Sequence, residues 1–367
     1  MKTKGNKCQF ILIFLFFLNS ASFILSDQVK LARTELIIEN IEETYFRSIA
    51  DLEVYEDFLF IVDNDYDRVL QFLIKNKKLE FIRAYGRSGQ KPGDIELPIQ
   101  ISIWNDTLAI KDQLGVSFFD LDGSYKNRFR LFSPMISFLF WNNSIYHAYA
   151  NPQKIDLIEV FSTEGERLYT FGEKKSFFKM NYSFKKGMSP VSTELVILDC
   201  ILLSDGEFIY CMNRRFGTVA IFTVSGEKIS VTNIISQLGK NEESKANENI
   251  NLFLKKGYDL NAAKNKIPEI YIFRDAKIVD NYIYILVDSH NILEKKLNSY
   301  VEIKKIDKKN LRVVSTYQAA MPDDERLFMF HFGVKIDNKG PNYFVDVYSE
   351  EGFKIYKFQP LINEDKK

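Results

Sequence analysis

Apolar and polar residues alternate along this chain in short stretches that are separated by polar turns. A bulky apolar residue and a short polar turn open each repeat, and an alternating strand such as Leu59–Asp63 follows the turn. The six openings are Tyr55-Glu56-Asp57, Trp104-Asn105-Asp106, Trp141-Asn142-Asn143, Leu203-Ser204-Asp205-Gly206, Val279-Asp280-Asn281 and Ile336-Asp337-Asn338. Several short strands per repeat, recurring about every 40 residues, are typical of β-propeller blades.

Each repeat continues into a third and a fourth strand. The third strand ends in an aromatic residue with a turn residue four positions later, as in Phe161 with Gly165. Glycine tolerates the left-handed backbone that such turns need. Fourth strands follow at Leu79–Ile82, Leu168–Phe171, Ile229–Val231 and Leu311–Val314. The sequence therefore predicts an all-β fold, a six-bladed β-propeller of four-stranded antiparallel blades.

The last repeat lacks a fourth strand of its own. Its third strand is Phe353–Phe358, and the apolar segment Leu36–Ile41 near the other end of the sequence could complete this blade. We predict that the two pair, because pairing closes the ring and removes an exposed sheet edge. The spacing of Tyr348 and Gly352 leaves an alternative open, in which Val345–Tyr348 is already the third strand.

Composition and charge limit the kinds of core and of binding partner that this chain can have. Apolar residues make up 46% of the chain, with 32 Phe and 19 Tyr, which suits a large β-rich core. Lys plus Arg equals Asp plus Glu at 49 each, so no net charge attracts nucleic acid or an anionic membrane. We expect a monomer that does not bind nucleic acid.

Residues 1–26 have the features of a signal peptide. Lys2, Lys4 and Lys7 precede the apolar run Phe10–Leu18, and the small residues at 20–22 offer a cleavage site. The run is too short to span a bilayer comfortably, although an uncleaved anchor remains the alternative. We predict an exported protein, periplasmic or secreted, with residues 27–367 as the mature propeller and no transmembrane span in it.

Four insertions lengthen the connections between strands. They comprise residues 86–98, 173–192, 236–269 and 289–299, and each joins a second to a third strand or a fourth strand to the next blade. Because strands alternate in direction, these connections share one side of the disc, which we call the long-loop face. Insertions gathered on one face commonly form a binding surface. Ser244–Lys256 predicts a helix there, either a lid over the central channel or a helix packed on the rim.

One of these connections carries a family resemblance. Gly86-Arg87-Ser88-Gly89-Gln90-Lys91-Pro92-Gly93-Asp94, ending at Leu97-Pro98, resembles the loop of bacterial six-bladed β-propellers related to NHL repeats. The strand that ends in Asp63 is similar to the same family. The resemblance implies a propeller fold and often an extracytoplasmic location. It implies no activity, because the family includes binding proteins and several unrelated enzymes.

A ring of polar residues marks the ends of the second strands. Its members are Asp63, Asp112, Asn213, Asp288 and Asp346, and all are expected on the long-loop face. Converging oxygen ligands could bind a divalent cation such as calcium. The structural alternative is that each side chain accepts backbone N–H bonds in its own turn.

The histidines and cysteines add weaker candidates. His147, His290 and His331 occupy different positions in their repeats, so a three-histidine metal site is not implied, and His331 is the best single candidate for lining the channel. An Asp205-Gly206 type I′ turn would place Cys200 opposite Cys211, close enough for a disulfide. Two buried free thiols are the alternative.

No catalytic motif accompanies these residues. The sequence has no GxSxG elbow, P-loop, HExxH or CxxC. We therefore interpret the chain as a binding or interaction module with an unknown protein, small-molecule or carbohydrate ligand on its long-loop face. We include Asp63, Asp112, Asn213, Asp288, His290, His331 and Asp346 as candidate ligand-binding residues. The alternative is a metal-dependent hydrolase, lactonase or lyase with its site at the mouth of the channel.

Overall fold

A computed structural model gives the structure of most of the chain. The described residues are 27–39, 46, 48–131, 135–149, 156–173, 199–251, 270–288, 290–291, 296–297, 300–321, 328–338, 340–349 and 352–361. The predicted signal peptide, most of the insertion at 173–192 and residues 252–269 of the insertion at 236–269 lie outside them.

The fold is all-β, with its sheets in a propeller-like arrangement. Two strands come first, β1 (Asp27–Glu35) and β2 (Ile37–Glu39). Four groups of four consecutive antiparallel strands follow, which we call units one to four. They are β3 (Ile49–Tyr55), β4 (Phe58–Asp63), β5 (Arg68–Lys75) and β6 (Lys78–Tyr85); β7 (Gln100–Trp104), β8 (Thr107–Lys111), β9 (Val116–Asp120) and β10 (Tyr125–Phe129); β11 (Met135–Trp141), β12 (Ser144–Tyr149), β13 (Asp156–Ser162) and β14 (Arg167–Glu173); and β15 (Cys200–Ser204), β16 (Phe208–Asn213), β17 (Thr218–Thr223) and β18 (Lys228–Asn233).

Two helices and two further antiparallel units complete the described chain. The helices are α1 (Ile235–Leu238) and α2 (Lys240–Asn251). Unit five has β19 (Phe273–Val279), β20 (Tyr282–Val287), the short pair β21 (His290–Asn291) and β22 (Lys296–Leu297), β23 (Tyr300–Asp307) and β24 (Arg312–Ala320). Unit six has β25 (Phe328–Asp337), β26 (Gly340–Ser349) and β27 (Gly352–Pro360). The third strand of unit six is therefore β27, and the alternative third strand Val345–Tyr348 belongs to β26.

The hydrophobic core lies between neighbouring units. Phe118 of unit two meets Phe140 of unit three with ring centroids 5.3 Å apart. Phe171 of unit three meets Phe222 of unit four at 5.2 Å. Such edge-to-face pairs add to the free energy gained by burying the rings. The strongly aromatic composition is thus used in face-to-face packing of sheets.

The first strands of successive units contact one another at the centre. The contacts join β3 with β7, β7 with β11, β11 with β15, β15 with β19, β19 with β25, and β25 with β3. At the last contact a Cβ on Gly333 would lie only 2.4 Å from Cγ2 of Val54, so a side chain there would collide with the neighbouring strand. These contacts follow a cyclic order through the first strands of the described units.

The N-terminal strand corrects the predicted closure. Leu31–Glu35 pairs antiparallel with Tyr356–Pro360 of β27, and residues 27–30 pair parallel with β24. Of the predicted strand Leu36–Ile41, only the backbone N–H of Leu36 bonds to β27, at the carbonyl of Ile355, and residues 40 and 41 lie outside the described residues. β2 turns away and pairs parallel with β6 of unit one. The prediction was wrong by about five residues because an outer strand is half exposed and favours alternation over an apolar run.

Helix α2 also differs from its prediction. It begins four residues earlier than Ser244, and the end of the predicted helix, residues 252–256, lies outside the described residues. The described anchors are polar: Lys245 and Asn249 are both fully buried. Lys245 Nζ donates to the carbonyl of Asp288 at 2.8 Å, and Asn249 Nδ2 donates to the carbonyls of Arg215 and Ile270. The helix thus packs against the long-loop ends of units four and five.

Steric crowding explains why glycines occupy two positions of the connection after β6. A Cβ on Gly86 would lie 2.4 Å from Cγ1 of Ile95, and one on Gly89 would lie 2.2 Å from Oδ2 of Asp94. Asp94 itself accepts a hydrogen bond from Nε of Arg87 at 2.8 Å. The loop is therefore folded tightly around the side chain of Asp94.

Among the described residues, no helix has the length and apolarity to cross a membrane.

Candidate functional site

A cavity of about 260 Å³ lies at the centre, where the first strands meet. Residues of β3, β7, β11, β15, β19 and β25 line it, together with Arg214, which follows β16. Most of these residues come from the beginnings of the first strands, the ends next to the fourth-to-first connections. The cavity therefore belongs to the long-loop side of the centre.

Polar side chains on the first strands bond to the backbone of the next unit. Each accepts a backbone N–H that would otherwise lack a partner at the junction between sheets. The bonds run from Ile101 N to Asp51 Oδ2 (3.0 Å), Phe138 N to Gln100 Oε1 (3.0 Å), Phe140 N to Ser102 Oγ (3.0 Å), Leu202 N to Ser137 Oγ (3.1 Å) and Phe332 N to Asp275 Oδ2 (3.1 Å). These residues hold the wall of the cavity together.

Three carboxylates surround one ammonium group in this wall. Lys277 Nζ lies 2.7 Å from Oε2 of Glu53, 3.6 Å from Oδ2 of Asp275 and 3.9 Å from Oδ1 of Asp51. The side chain of Lys277 is 11% exposed and that of Glu53 is 29% exposed. Glu53 is therefore the carboxylate of this group with the most access to the cavity.

Burial sets the acidities in this carboxylate cluster. Removal from water raises the pKa of Asp51 and of Glu53, and the charge of Lys277 opposes the rise without reversing it. For Lys277, burial lowers the pKa, but Asp275, Glu53 and Asp51 raise it well above its ordinary value. The ammonium group thus remains charged and acts as the internal counter-ion of the three acids.

His331 lines the same cavity, as expected from the sequence. Its Nδ1 lies 3.1 Å from Oδ2 of Asp346, and its backbone N–H donates to Oδ1 of Asp346 at 2.7 Å. Burial lowers the pKa of His331, but the carboxylate of Asp346, with smaller contributions from Asp51 and Asp275, raises it overall. Two of the predicted ligand-binding residues, His331 and Asp346, are therefore brought together.

An arginine cluster also borders the cavity. The guanidinium carbons of Arg214, Arg215 and Arg274 lie 5.0, 4.5 and 4.4 Å from the ring centroid of Tyr271. Asp199 is shared between two of them, with Arg214 Nε on its Oδ1 at 2.8 Å and Arg215 Nε on its Oδ2 at 2.9 Å. Burial raises the pKa of Asp199, but the two guanidiniums lower it below its ordinary value. Arg214 and Arg274 both line the cavity.

The predicted strand-end residue Asp112 is fully occupied by its surroundings. Its Oδ1 accepts the backbone N–H groups of Leu114 and Gly115, each at 2.9 Å. Its Oδ2 accepts the N–H of Glu96 at 3.1 Å and forms an ion pair with Arg128. These contacts are those of the structural alternative, since a cation at this carboxylate would displace them.

The other strand-end residues also have partners in or near their own unit. Asn213 Oδ1 accepts the N–H groups of Arg215 and Phe216, at 3.0 and 2.7 Å. Asp63 pairs with Arg68 at 2.8 Å. Asp288 pairs with Arg274 at 2.5 Å and with Lys245 at 3.2 Å. The recurring position therefore serves turns and ion pairs with different partners in each unit.

No group of described residues could hold a metal ion through three or more His, Cys, Asp or Glu side chains. The backbone of His290 pairs with that of Leu297 in the β21–β22 excursion, and its side chain lies outside the described residues. His147 is buried in the second strand of unit three, where burial and the charge of Lys111 lower its pKa to about 3. Cation binding by the strand-end residues remains a prediction.

The cysteine register differs from the predicted one. Cys200 lies opposite Asn213, and Cys211 lies opposite Leu202, a shift of two residues. The shift arises because Asp205 Oδ1 accepts the N–H groups of Glu207 and Phe208, which stabilises a longer loop than the two-residue turn. Both cysteines are buried free thiols in the structure. Burial, with a smaller contribution from the neighbouring Cys200 thiol, raises the pKa of Cys211 well above its ordinary value.

Sequence reasoning missed the charges that line the cavity. Arg214 directly follows a predicted strand end, and Asp275 and Lys277 alternate along a predicted first strand. Charged residues inside a strand next to the centre were the available signal, because such side chains need partners or access to water.

Comparisons with solved structures identify β-propeller proteins of low sequence identity. A Bacteroides fragilis protein is 14% identical, with a TM-score of 0.51 over 90% of this chain and 98% of its own. A streptogramin B lyase is 9% identical, with a TM-score of 0.48 over 90% of this chain and 98% of its own. BamB from Moraxella catarrhalis is 10% identical, with a TM-score of 0.36 over 84% of this chain and 71% of its own. These likenesses concern the fold alone. No family model and no curated protein matches the chain.

Proposed function

We propose that the protein is an exported six-bladed β-propeller that binds a small polar ligand in its central cavity, on the long-loop face. The single observation that carries the proposal is the cavity itself, because it combines accessible charged side chains of both signs. The most accessible are Glu53, Arg214 and His331, whose side chains are 29%, 27% and 22% exposed. Charged groups that are only partly neutralised in a concave site favour a polar ligand.

The six-bladed ring is part of the proposal. The cyclic order of contacts among the six first strands supports it, as does the pairing of β1 with β27, which gives unit six a fourth strand. The residues of one ring would then be 27–367, with insertions at 173–192 and 236–269. The geometry of the Gly86–Asp94 loop supports the proposed relation to NHL-repeat propellers, since its glycines are sterically required.

Export rests on the sequence of residues 1–26, which has a basic start, an apolar run and small residues before the predicted cleavage point. The metal-dependent enzyme is placed second. It requires three converging ligands, and the described residues offer no such group.

The test is a ligand screen with a cavity-filling variant. Thermal shift of the protein against sugars, organic acids, amines and zwitterions identifies ligand classes, and calorimetry measures the affinity of those that stabilise. Leu139 lines the cavity, so Leu139→Trp is designed to fill it. Leu168→Trp is the control, because it places the same side chain on a surface strand where Leu168 is 47% exposed. Binding that L139W abolishes and L168W retains supports the proposal. Binding that survives L139W, or no binding from any class, contradicts it.

A further inference from the structure

The cavity is lined by a group of acids and a group of guanidiniums, which we call the acidic wall and the basic wall. The acidic wall comes from β3 and β19, where Asp51, Glu53 and Asp275 share the single ammonium of Lys277. The basic wall comes from Arg214, which follows β16, and Arg274 at the start of β19. Both walls line the same cavity of about 260 Å³.

Each wall keeps hydrogen-bonding capacity for a ligand. Glu53 gives Oε2 to Lys277, while its Oε1 makes no hydrogen bond to any described residue. Arg214 donates from Nε and Nη2 to Asp199 and from Nη1 to the carbonyl of Arg274 at 3.1 Å. A guanidinium has five N–H groups, so donors of Arg214 remain after these bonds. The two side chains are also the most accessible acid and the most accessible base among the ion-paired residues of the lining.

Their positions along the channel differ. Arg214 lies just past the end of β16, at the long-loop face, whereas Glu53 is the fifth of the 7 residues of β3 and lies further from that face. A ligand that enters from the long-loop face would therefore meet Arg214 at the mouth and Glu53 further in. The volume accommodates roughly nine water molecules, which corresponds to a molecule of about ten heavy atoms.

We propose that the cavity binds a small zwitterion, with its carboxylate on Arg214 and its ammonium group on Glu53. A molecule with only one charge would satisfy one wall and leave the other solvated or unpaired. A zwitterion satisfies both, and a buried ion pair is favourable only when each partner has its hydrogen bonds. This inference rests on the proposed function and names its ligand class.

Calorimetry at low salt tests the inference with a graded series of probes. Glycine, β-alanine, 4-aminobutanoate and 5-aminopentanoate vary the distance between the two charges, and butylamine and butanoate supply one charge each. We expect at least one zwitterion to bind ten or more times more tightly than both single-charge probes. Glu53→Gln and Arg214→Gln are each expected to reduce that affinity tenfold or more.

Matched surface variants serve as controls. Glu80→Gln and Arg167→Gln make the same substitutions in ion pairs that do not line the cavity, and we expect them to leave binding unchanged. The probe series on the unmodified protein decides the question even if a cavity variant fails to fold. Zwitterions that bind no better than single-charge probes overturn the inference. If a sugar or an anion binds instead and L139W abolishes it, the binding function stands and only the ligand class is wrong.

Discussion

The ammonium group of Lys277 is the internal counter-ion of three carboxylates, so its removal tests the electrostatics of the cavity. Lys277→Met keeps a long unbranched side chain and removes only the charge and its hydrogen bonds. Glu53, Asp51 and Asp275 would then lose the ammonium group that lies 2.7 to 3.9 Å from their carboxylate oxygens.

The expected cost is large because the ion pairs are shielded from water. Removing one partner of a buried ion pair destabilises a protein by about 3–5 kcal/mol. Lys335→Met is the matched control, since Lys335 pairs with Asp57, whose side chain is 71% exposed. An exposed pair contributes only about 0–1 kcal/mol. We therefore expect K277M to lower the free energy of unfolding by several times more than K335M.

The cost also depends on pH. Burial already raises the pKa values of Asp51 and Glu53, and loss of Lys277 raises them further. An acid whose pKa is higher in the folded state than in the unfolded state destabilises the fold above that pKa, and the penalty is relieved as pH falls through it. The deficit of K277M relative to the unmodified protein is therefore expected to shrink between pH 7 and pH 5.

Urea unfolding followed by circular dichroism measures these differences through the midpoint at constant slope. The same titration at pH 5 and pH 7 gives the pH dependence, and the double variant K277M/E53Q is expected to recover part of the loss. Equal destabilisation by K277M and K335M at pH 7 would refute the reasoning. So would a K277M deficit that does not change with pH.

Three further outcomes are expected. Deleting residues 27–36 removes the strand between β24 and β27, together with the buried side chains of Leu31 and Leu36. We expect the free energy of unfolding, measured in urea, to fall by roughly 3–6 kcal/mol. An unchanged unfolding midpoint would show that this strand is dispensable. Asp346→Asn is expected to lower the pKa of His331, measured by NMR titration, because the carboxylate of Asp346 raises that pKa. The stability that His331 gains from the pair is present at low pH and is lost as pH rises through the folded-state pKa. An unchanged pKa of His331 in this variant would exclude the pair. Cys200 and Cys211 are diagonal neighbours on adjacent strands, and such neighbours lie about 7–8 Å apart, beyond the range of an unstrained disulfide. We therefore expect two reactive thiols when the native protein is unfolded without reductant. Finding no reactive thiol would mean that the disulfide forms.

Local patterns predicted the strands well because each hairpin carries its own signal. The turns at Asn105-Asp106 and Asn142-Asn143 have positive φ at both residues, as type I′ hairpins require. The closing strand was misplaced because its partners are distant in sequence and both Leu31 and Leu36 satisfy an apolar pattern. Only the packed structure shows that Leu36 is buried in the cluster between units one and six while Ile37 is exposed.

The site was predictable only in part, for a related reason. His331 was expected at the channel from its place on a first strand, and it lines the cavity. The strand-end residues were selected because their position recurs in each repeat. In the structure, these side chains bond to partners in or near their own unit. Lys277 and Arg214 do not recur, and their roles depend on which units meet across the centre. No pattern within a single repeat contains that information.

The pairing of residue 31 with residue 360 has a consequence for how the chain is made. A strand that leaves the ribosome or an export channel early has no partner until the last strands follow. Until then the edge of β1 that pairs with β27 stays open, and an open strand edge is the kind of surface that aggregates. Contacts between such distant parts of a chain form slowly, because the loop they close is long. Because β27 follows every other described strand, its emergence determines when this pairing can form.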